Sequence, residues 1–187
     1  MAEIRRAQEL DPLLTPLQVN AGVIYSCVGR HDEAIGQLQN TAELNPNNNY
    51  ARFGLGMAYL QKGMYPEGVA NLEKAVAIDK DDPDELLYVQ AVAYAYAVVG
   101  RKKEAFKMLR ELERQEANGR AVAAGWDTGL YPIYFALGQR DKAFAWLEKA
   151  YQAKSDSLLY LRCWPEFNRL RSDPRFADLV CRVGIPQ

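Results

Sequence analysis

The feature that most constrains this chain is a period of 34 residues. A proline, a glycine, a tyrosine and a leucine each recur at this spacing, in the pairs Pro12 and Pro46, Gly22 and Gly56, Tyr25 and Tyr59, and Leu38 and Leu72. Four residue types that share one period indicate repeated structural units, each of which has to bury its apolar face against the next. The chain is therefore predicted to be an array of stacked repeats.

The same register continues through the chain with small insertions. Four tyrosines are followed four residues later by glycine, nine residues later by a small residue and thirteen residues later by leucine, as in Tyr25, Gly29, Ala34, Leu38; Tyr59, Gly63, Gly68, Leu72; Tyr96, Gly100, Ala105, Leu109; and Tyr134, Gly138, Ala143, Leu147. A glycine in the left-handed conformation ends a helix, and a small residue lets the next helix approach closely. Each repeat is therefore predicted to be a hairpin of two helices.

The boundaries of these helices follow from the same markers. First helices are expected at about 15–28, 49–62, 84–99 and 124–137, and second helices at about 31–44, 66–78, 102–117 and 140–153. In the fourth first helix, Gly125, Gly129 and Pro132 all disfavour a helix interior. We expect that helix to be kinked or shortened.

The first helices carry glycine and tyrosine three residues apart, within Gly22–Tyr25 and Gly56–Tyr59. In these residues the chain resembles the tetratricopeptide repeat family over about residues 2–157, although Ala93 and Tyr131 replace the glycine in the third and fourth repeats. The resemblance implies an all-α fold, a right-handed superhelix or α-solenoid of antiparallel helical hairpins. It also implies a module that binds other proteins.

The domain organisation is predicted as one solenoid over residues 1–187. Its parts are the second helix of a truncated upstream repeat at 1–12, four repeats at 15–48, 49–82, 86–119 and 124–157, and a short helical cap at 158–187. The cap holds Trp164-Pro165-Glu166-Phe167 and is similar to the end of C-terminal tetratricopeptide arrays in bacterial multidomain regulators. This similarity implies a fragment of a larger bacterial regulatory protein.

Composition and charge argue against several classes of partner. The formal net charge is −1, and no cluster of lysine and arginine is long enough to favour nucleic acid or an anionic membrane surface. No apolar run approaches the roughly 20 residues that span a bilayer. Three scattered cysteines do not form the even, dense set of a secreted disulfide scaffold. We therefore expect a cytoplasmic location and no nucleic-acid or membrane partner.

Catalytic and metal-binding arrangements are also not indicated by the spacing. His31 is the single histidine, and Cys163 and Cys181 are not spaced as a zinc pair. No acid, base and nucleophile come together by sequence pattern. We expect no enzyme activity, no cofactor and no metal.

In the tetratricopeptide family, repeat positions 2, 5, 9, 12 and 13 commonly face the concave groove. The matching residues are Pro16, Val19, Val23, Ser26 and Cys27; Tyr50, Phe53, Met57, Leu60 and Gln61; Leu87, Gln90, Tyr94, Ala97 and Val98; and Gly125, Thr128, Pro132, Phe135 and Ala136. None of them is basic, unlike the lysine and arginine with which some relatives hold a carboxylate. We predict that the main peptide-binding groove residues are Val19, Val23, Tyr50, Phe53, Met57, Gln90 and Tyr94.

These residues suggest an apolar or amphipathic protein or peptide ligand, either a helix laid in the groove or a neighbouring copy of the chain. Two alternatives remain open at this point. Apolar residues at helical spacing are often core, so the stripe could be buried. The chain could also be a structural self-association segment, forming a homodimer for an upstream effector domain.

Overall fold

The computed structural model describes residues 6, 10, 11, 14–78, 85–118, 129–155, 158, 161, 167 and 170–184. By its internal contacts the chain divides into two compact units, Met1–Ala95 and Tyr96–Gln187. We call them unit 1 and unit 2. The predicted half-repeat before Pro12 lies outside the described residues except at Arg6, Leu10 and Asp11.

All the regular structure of the described residues is helical. The helices are α1 (Thr15–Cys27), α2 (His31–Leu44), α3 (Asn49–Lys62), α4 (Tyr65–Ile78), α5 (Glu85–Val98), α6 (Lys102–Ala117), α7 (Tyr131–Ala136), α8 (Arg140–Gln152) and α9 (Pro174–Val183). Seven of the eight expected repeat helices are found within one residue of their predicted ends. The all-α prediction is confirmed, and the two helices of the first, second and fourth repeats pair as hairpins.

The four turn glycines end the first helices as predicted. Gly29, Gly63, Gly100 and Gly138 have φ between 78° and 85°. In each turn the residue after the glycine donates its N–H to the carbonyl of the repeat's tyrosine, at 2.8–2.9 Å. This bond closes a Schellman motif and satisfies a carbonyl that the helix end would otherwise leave unpaired.

In the first two hairpins, the glycine of the first helix sets how closely the two helices approach. A Cβ on Gly22 would lie 2.5 Å from Leu38 Cγ, and one on Gly56 would lie 2.7 Å from Leu72 Cγ. Both leucines have no exposed surface. The recurring glycine and leucine therefore form the contact that packs a first helix onto its own second helix.

The core of unit 1 joins successive hairpins. Val19, Leu38 and Leu55 are almost fully buried in one hydrophobic cluster that draws on α1, α2 and α3. Asn48 is the N-cap of α3, and its side chain accepts a hydrogen bond from the N–H of Ala51 at 2.8 Å. Helix capping and interhelical packing therefore agree with the repeat register.

Unit 2 departs from the repeat pattern at α7. This helix begins at Tyr131 with Pro132 in its first turn, and Gly129 precedes it in a turn. The expected shortening is confirmed in the described part, while residues 124–128 of the predicted helix lie outside it. The cap contributes α9, whose N-cap is Asp173.

Side chains from the cap contact the last hairpin. Phe167 stacks on Tyr131 with ring centroids 5.1 Å apart and on Phe176 at 5.6 Å. Residues 162–166 of the predicted cap, including Trp164, lie outside the described residues. In the part of the chain that the structure describes, no helix is long and apolar enough to cross a membrane.

Candidate polypeptide-binding groove

The seven predicted contact residues lie on three first helices of unit 1. Val19 and Val23 are on α1, Tyr50, Phe53 and Met57 are on α3, and Gln90 and Tyr94 are on α5. All seven therefore belong to one compact unit. We call the face of α1, α3 and α5 that carries them the groove face.

A line of side-chain contacts joins these three helices. The Tyr50 hydroxyl donates a hydrogen bond to Asn20 Oδ1 at 3.0 Å, and the Tyr50 ring stacks on Phe53 with centroids 6.2 Å apart. Phe53 in turn packs against Tyr88 at 5.8 Å with the rings tilted by 55°. These side-chain contacts thus run from α1 through α3 to α5.

Tyr88 was not among the predicted groove residues. It is 1% exposed and lies one residue beyond Leu87, which was predicted to face the groove. Its aromatic character was the only available signal. The repeat register alone does not show which of two adjacent residues reaches across to Phe53.

Most of the predicted residues are deeply buried. Val19 is 0% exposed, Phe53 3%, Gln90 5%, Val23 8% and Met57 9%, whereas Tyr50 and Tyr94 are half-buried. Val19 packs against α3, because a Cβ on Gly54 would lie 2.8 Å from its Cγ1. Of these seven residues, Tyr50 and Tyr94 are therefore the two that remain partly accessible.

Several polar atoms on the groove face have no hydrogen-bond partner. Among the described residues these are Ser26 Oγ, Gln61 Oε1, and both Oε1 and Nε2 of Gln90; His31 Nδ1, at the start of α2, is the other such atom. Ser26, Gln61 and Gln90 all occupy predicted groove positions. Buried polar groups are nearly always hydrogen-bonded in folded proteins, so this concentration on one face requires an explanation.

Charged side chains of unit 1 pair with one another away from the predicted positions. Lys62 bonds with Asp32, and Arg30 bonds with Glu33 while its guanidinium lies 5.0 Å from the centre of the Tyr25 ring. The Lys62 ammonium lowers the pKa of the Asp32 carboxyl through a hydrogen bond and its charge. The groove positions themselves are uncharged, which suits a ligand segment without a buried charge.

A concavity of about 600 Å³ lies within unit 2 between α8 and α9. Arg175 and Arg182 line it, and sequence reasoning missed it. Arg175 bonds Asp141 at 2.8 Å, and Arg182 bonds Glu148 at 2.8 Å. Because both guanidinium groups already have carboxylate partners, an added anion would have to displace those carboxylates.

Metal-ligating side chains are not clustered among the described residues. Within residues 14–78, 85–118, 129–155 and the described part of the cap, no group of three histidine, cysteine, aspartate or glutamate side chains is close enough to hold a metal ion. Cys27 is half-buried and Cys181 is exposed. Cys163 lies outside the described residues.

Comparison with known sequences identifies the repeats. Two family models, each described as tetratricopeptide repeat, match residues 27–83 and 133–157. Cellulose synthase operon protein C of Escherichia coli strain K12 is 47% identical over 51 residues. The match covers 27% of this chain, and the chain spans only 4% of that relative.

Solved structures show the same fold. A Podosopora anserina protein described as a kinesin light chain, with nearly identical TPR-like repeats, has a TM-score of 0.54 and 22% identity, over 92% of this chain and 94% of that one. YrrB, titled a TPR protein with an unusual peptide-binding site, has a TM-score of 0.51 and 17% identity, over 96% and 90% of the two chains. At these identities the likeness concerns the fold.

Proposed function

We propose that this chain is a protein–protein interaction module, because tetratricopeptide repeat models match residues 27–83 and 133–157. Our proposal is that the groove face of unit 1 binds an apolar or amphipathic polypeptide segment and that the chain itself is non-catalytic. The half-buried Tyr50 and Tyr94, beside the buried rings of Phe53 and Tyr88, carry the proposal. Aromatic side chains supply large contact areas at protein interfaces.

The chemistry of the groove face defines what the ligand would present. The predicted positions carry no lysine or arginine to hold a carboxylate and no acid to hold a basic side chain. A ligand that placed an unpaired charge there would lose hydration without compensation. An apolar side chain beside Tyr50 and Tyr94 would instead remove apolar surface from water.

The comparison with YrrB supports peptide binding by this kind of fold, because its title names a peptide-binding site. That site belongs to YrrB, and the 17% identity gives no residue correspondence. We also propose that the chain acts within a larger bacterial regulatory protein. That part of the proposal is supported by the similarity of its tail to the ends of such arrays.

Self-association is the second candidate function. Leu14 precedes α1 and is 48% exposed, while Leu44 ends α2 and is 59% exposed. Because α1 and α2 are antiparallel, these two leucines lie at the same end of the hairpin. An exposed apolar end is where a second copy would bind if the chain forms a homodimer.

The proposal can be tested by selecting ligands for the full chain from a displayed library of short random peptides. Recovered peptides are then measured by fluorescence anisotropy against Tyr94→Glu and against Ala77→Glu, a matched charge on an exposed position of α4. We expect Tyr94→Glu to weaken binding by about tenfold or more, since it places a charge in the apolar site. Ala77→Glu should change little.

Two results would contradict the proposal. One is that no recovered peptide distinguishes the two variants. The other is a homodimer, seen by light scattering, that Tyr94→Glu splits into folded monomers. That second result would assign the groove face to self-association, and circular dichroism of each variant would confirm that the fold is intact.

A further inference from the structure

We propose that the exposed face of α6 binds an acidic segment of another polypeptide, one that presents its carboxylates in a single row. This face carries four basic residues, which we call the basic ridge: Lys103, Lys107, Arg110 and Arg114. All four are exposed. The inference does not rest on the proposed function, because α6 lies in unit 2 whereas the predicted groove residues lie in unit 1.

The helical period brings the four basic residues into one line. They follow one another at intervals of four, three and four positions, so at about 100° per residue their side chains lie within about 60° of one another. Leu109 and Leu112, on the opposite side of α6, are 2% and 1% exposed. The ridge is about 17 Å long at the rise of an α-helix. It therefore offers a partner a straight row of positive charge.

The other second helices carry no basic residue at the matching positions. Counted from the small residue of each helix, those positions hold Asp32, Gly36, Gln39 and Glu43 in α2; Pro66, Ala70, Glu73 and Ala77 in α4; and Asp141, Ala145, Glu148 and Gln152 in α8. Five of these twelve residues are acids, so the same face tends toward negative charge elsewhere. The repeat fold does not require the basic ridge, which is particular to α6.

Most of the ridge has no carboxylate partner. Among the described residues, Lys103, Lys107 and Arg110 form no ion pair. The two acids within one turn of Lys107 are Glu104 and Glu111, and each bonds an arginine instead, at 2.8 Å and 2.6 Å. Like charges three or four residues apart on a helix repel one another. An anionic partner would remove this repulsion.

The width of the ridge decides which class of anionic partner fits. Glu104 and Glu111 lie along one side of it and Glu113, which bonds the Tyr134 hydroxyl, lies along the other. A nucleic-acid duplex or a membrane is broad and would bring its phosphates against these carboxylates. A single polypeptide segment would place one row of acids on the cations alone, as charge pairs do along the flanks of paired helices.

The test uses the full chain and two fluorescein-labelled peptides made of alanine and four glutamates, each about 16 residues long so that it can form a helix. In the row peptide the glutamates follow one another at intervals of four, three and four positions, as the cations do in the ridge. In the scattered peptide the same glutamates are spread around the helix. At low ionic strength, fluorescence anisotropy should show about tenfold tighter binding of the row peptide, and added salt should weaken it.

Two charge reversals locate the binding. Lys107→Glu changes the ridge, and Lys74→Glu changes an exposed lysine of α4, so both alter the net charge equally. Lys107→Glu should weaken binding of the row peptide by about tenfold or more, because an attraction becomes a repulsion. Lys74→Glu should weaken it by less than about twofold. Circular dichroism of both variants would confirm that the fold is intact.

Three results would overturn the inference. The first is equal affinity for the two peptides, including no binding of either. The second is an equal loss in Lys107→Glu and Lys74→Glu. The third is that a DNA duplex, or vesicles that contain phosphatidylserine, bind at least as tightly as the row peptide and lose that binding in Lys107→Glu. The proposed function is tested separately by Tyr94→Glu, so either can fail while the other stands.

Discussion

The second and fourth hairpins share a turn but pack their helices differently. In both, a glycine of positive φ, Gly63 or Gly138, ends the first helix. In both, the next residue donates its N–H to the repeat tyrosine's carbonyl, at 2.9 Å to Tyr59 and 2.8 Å to Tyr134. The turn is therefore independent of what lies between the two helices.

In the second hairpin, two glycines bring α3 and α4 together. A Cβ on Gly56 would lie 3.1 Å from the carbonyl oxygen of Gly68, and a Cβ on Gly68 would lie 3.1 Å from that of Gly56. Leu72 and Leu60 fill the space on either side. This hairpin packs through direct contact between its own helices.

In the fourth hairpin, Tyr131 takes the place of that glycine, and α7 is six residues long. Tyr131 is buried by Phe167, from the cap, and Trp146, from α8, covers Gly129. The comparison teaches that one turn can support two packing solutions. A small residue suits two full helices, whereas a large ring requires a shortened helix and side chains from outside the hairpin.

The largest expected effect comes from removing the ring that the cap supplies. Phe167→Ala deletes a side chain that is 1% exposed and stacked on two other rings, so we expect a loss of about 3–5 kcal/mol in the free energy of unfolding. Tyr65→Ala, at an aromatic residue that is 41% exposed in the second hairpin, should change it by less than about 0.5 kcal/mol. Urea unfolding measures both, and equal losses would refute the role assigned to the cap.

Substitution of Gly129 should have the next largest effect. In Gly129→Ala the new Cβ combines a φ of 79° with a distance of 2.5 Å to Trp146 Cε3, which together should cost about 2–5 kcal/mol. Gly138→Ala has a φ of 80° but nothing within 4 Å, so only about 1–2 kcal/mol is expected. Thermal unfolding measures the loss of stability in each variant, and the difference between the two losses reports the contact with Trp146. Equal losses would show that this contact is unimportant.

A smaller loss is expected where the second hairpin is closest. Gly56→Ala forces Leu72 or the Gly68 carbonyl to move, which costs about 1–3 kcal/mol and is partly offset by about 1 kcal/mol of helix propensity. Gly36→Ala, in a helical position with nothing within 4 Å, should gain that propensity and stabilise the chain by up to about 1 kcal/mol. Urea unfolding measures both changes in the free energy of unfolding. Changes of opposite sign would support close packing at Gly56, and a gain in stability in both variants would contradict it.

The smallest expected effect is a pH dependence at the cap. The Arg175 guanidinium bonds the Asp173 carboxylate and lowers the pKa of that carboxyl below its ordinary 3.8. A carboxyl whose pKa is lowered by folding stabilises the fold above its unfolded pKa, and this stabilisation is lost as the pH falls through the folded value. Asp173→Asn keeps a residue that can cap the helix but removes the carboxyl. In thermal unfolding at a series of pH values, the midpoint of this variant should therefore decrease less below about pH 4 than the midpoint of the wild type. An unchanged pH profile would contradict this assignment.

The sequence predicted local features better than long-range ones. Helix ends at Cys27, Lys62 and Ala117 follow from turn residues that act within a few positions, so a single period was enough to find them. The contact between Tyr131 and Phe167 links residues far apart in the chain, outside the 34-residue register. No periodic pattern indicates such a pair.

The candidate site shows the same difference between local features, which the sequence predicted, and long-range contacts, which it did not. The repeat register predicted which helices carry Tyr50, Phe53 and Tyr94, and the structure places them in one unit. It did not predict that Tyr88 would contact Phe53 or that Gln90 would be buried without a hydrogen-bond partner among the described residues. Both depend on side-chain packing between repeats. The assignment of these residues to ligand binding stays a prediction.

Amide hydrogen exchange of the full chain, with and without a selected peptide, tests the central claim most directly. If a polypeptide binds the groove face, exchange should slow in α1, α3 and α5, with little change in α2 and α4. Slowing confined to α2 and α4, or to α8 and α9, would contradict binding at the groove face.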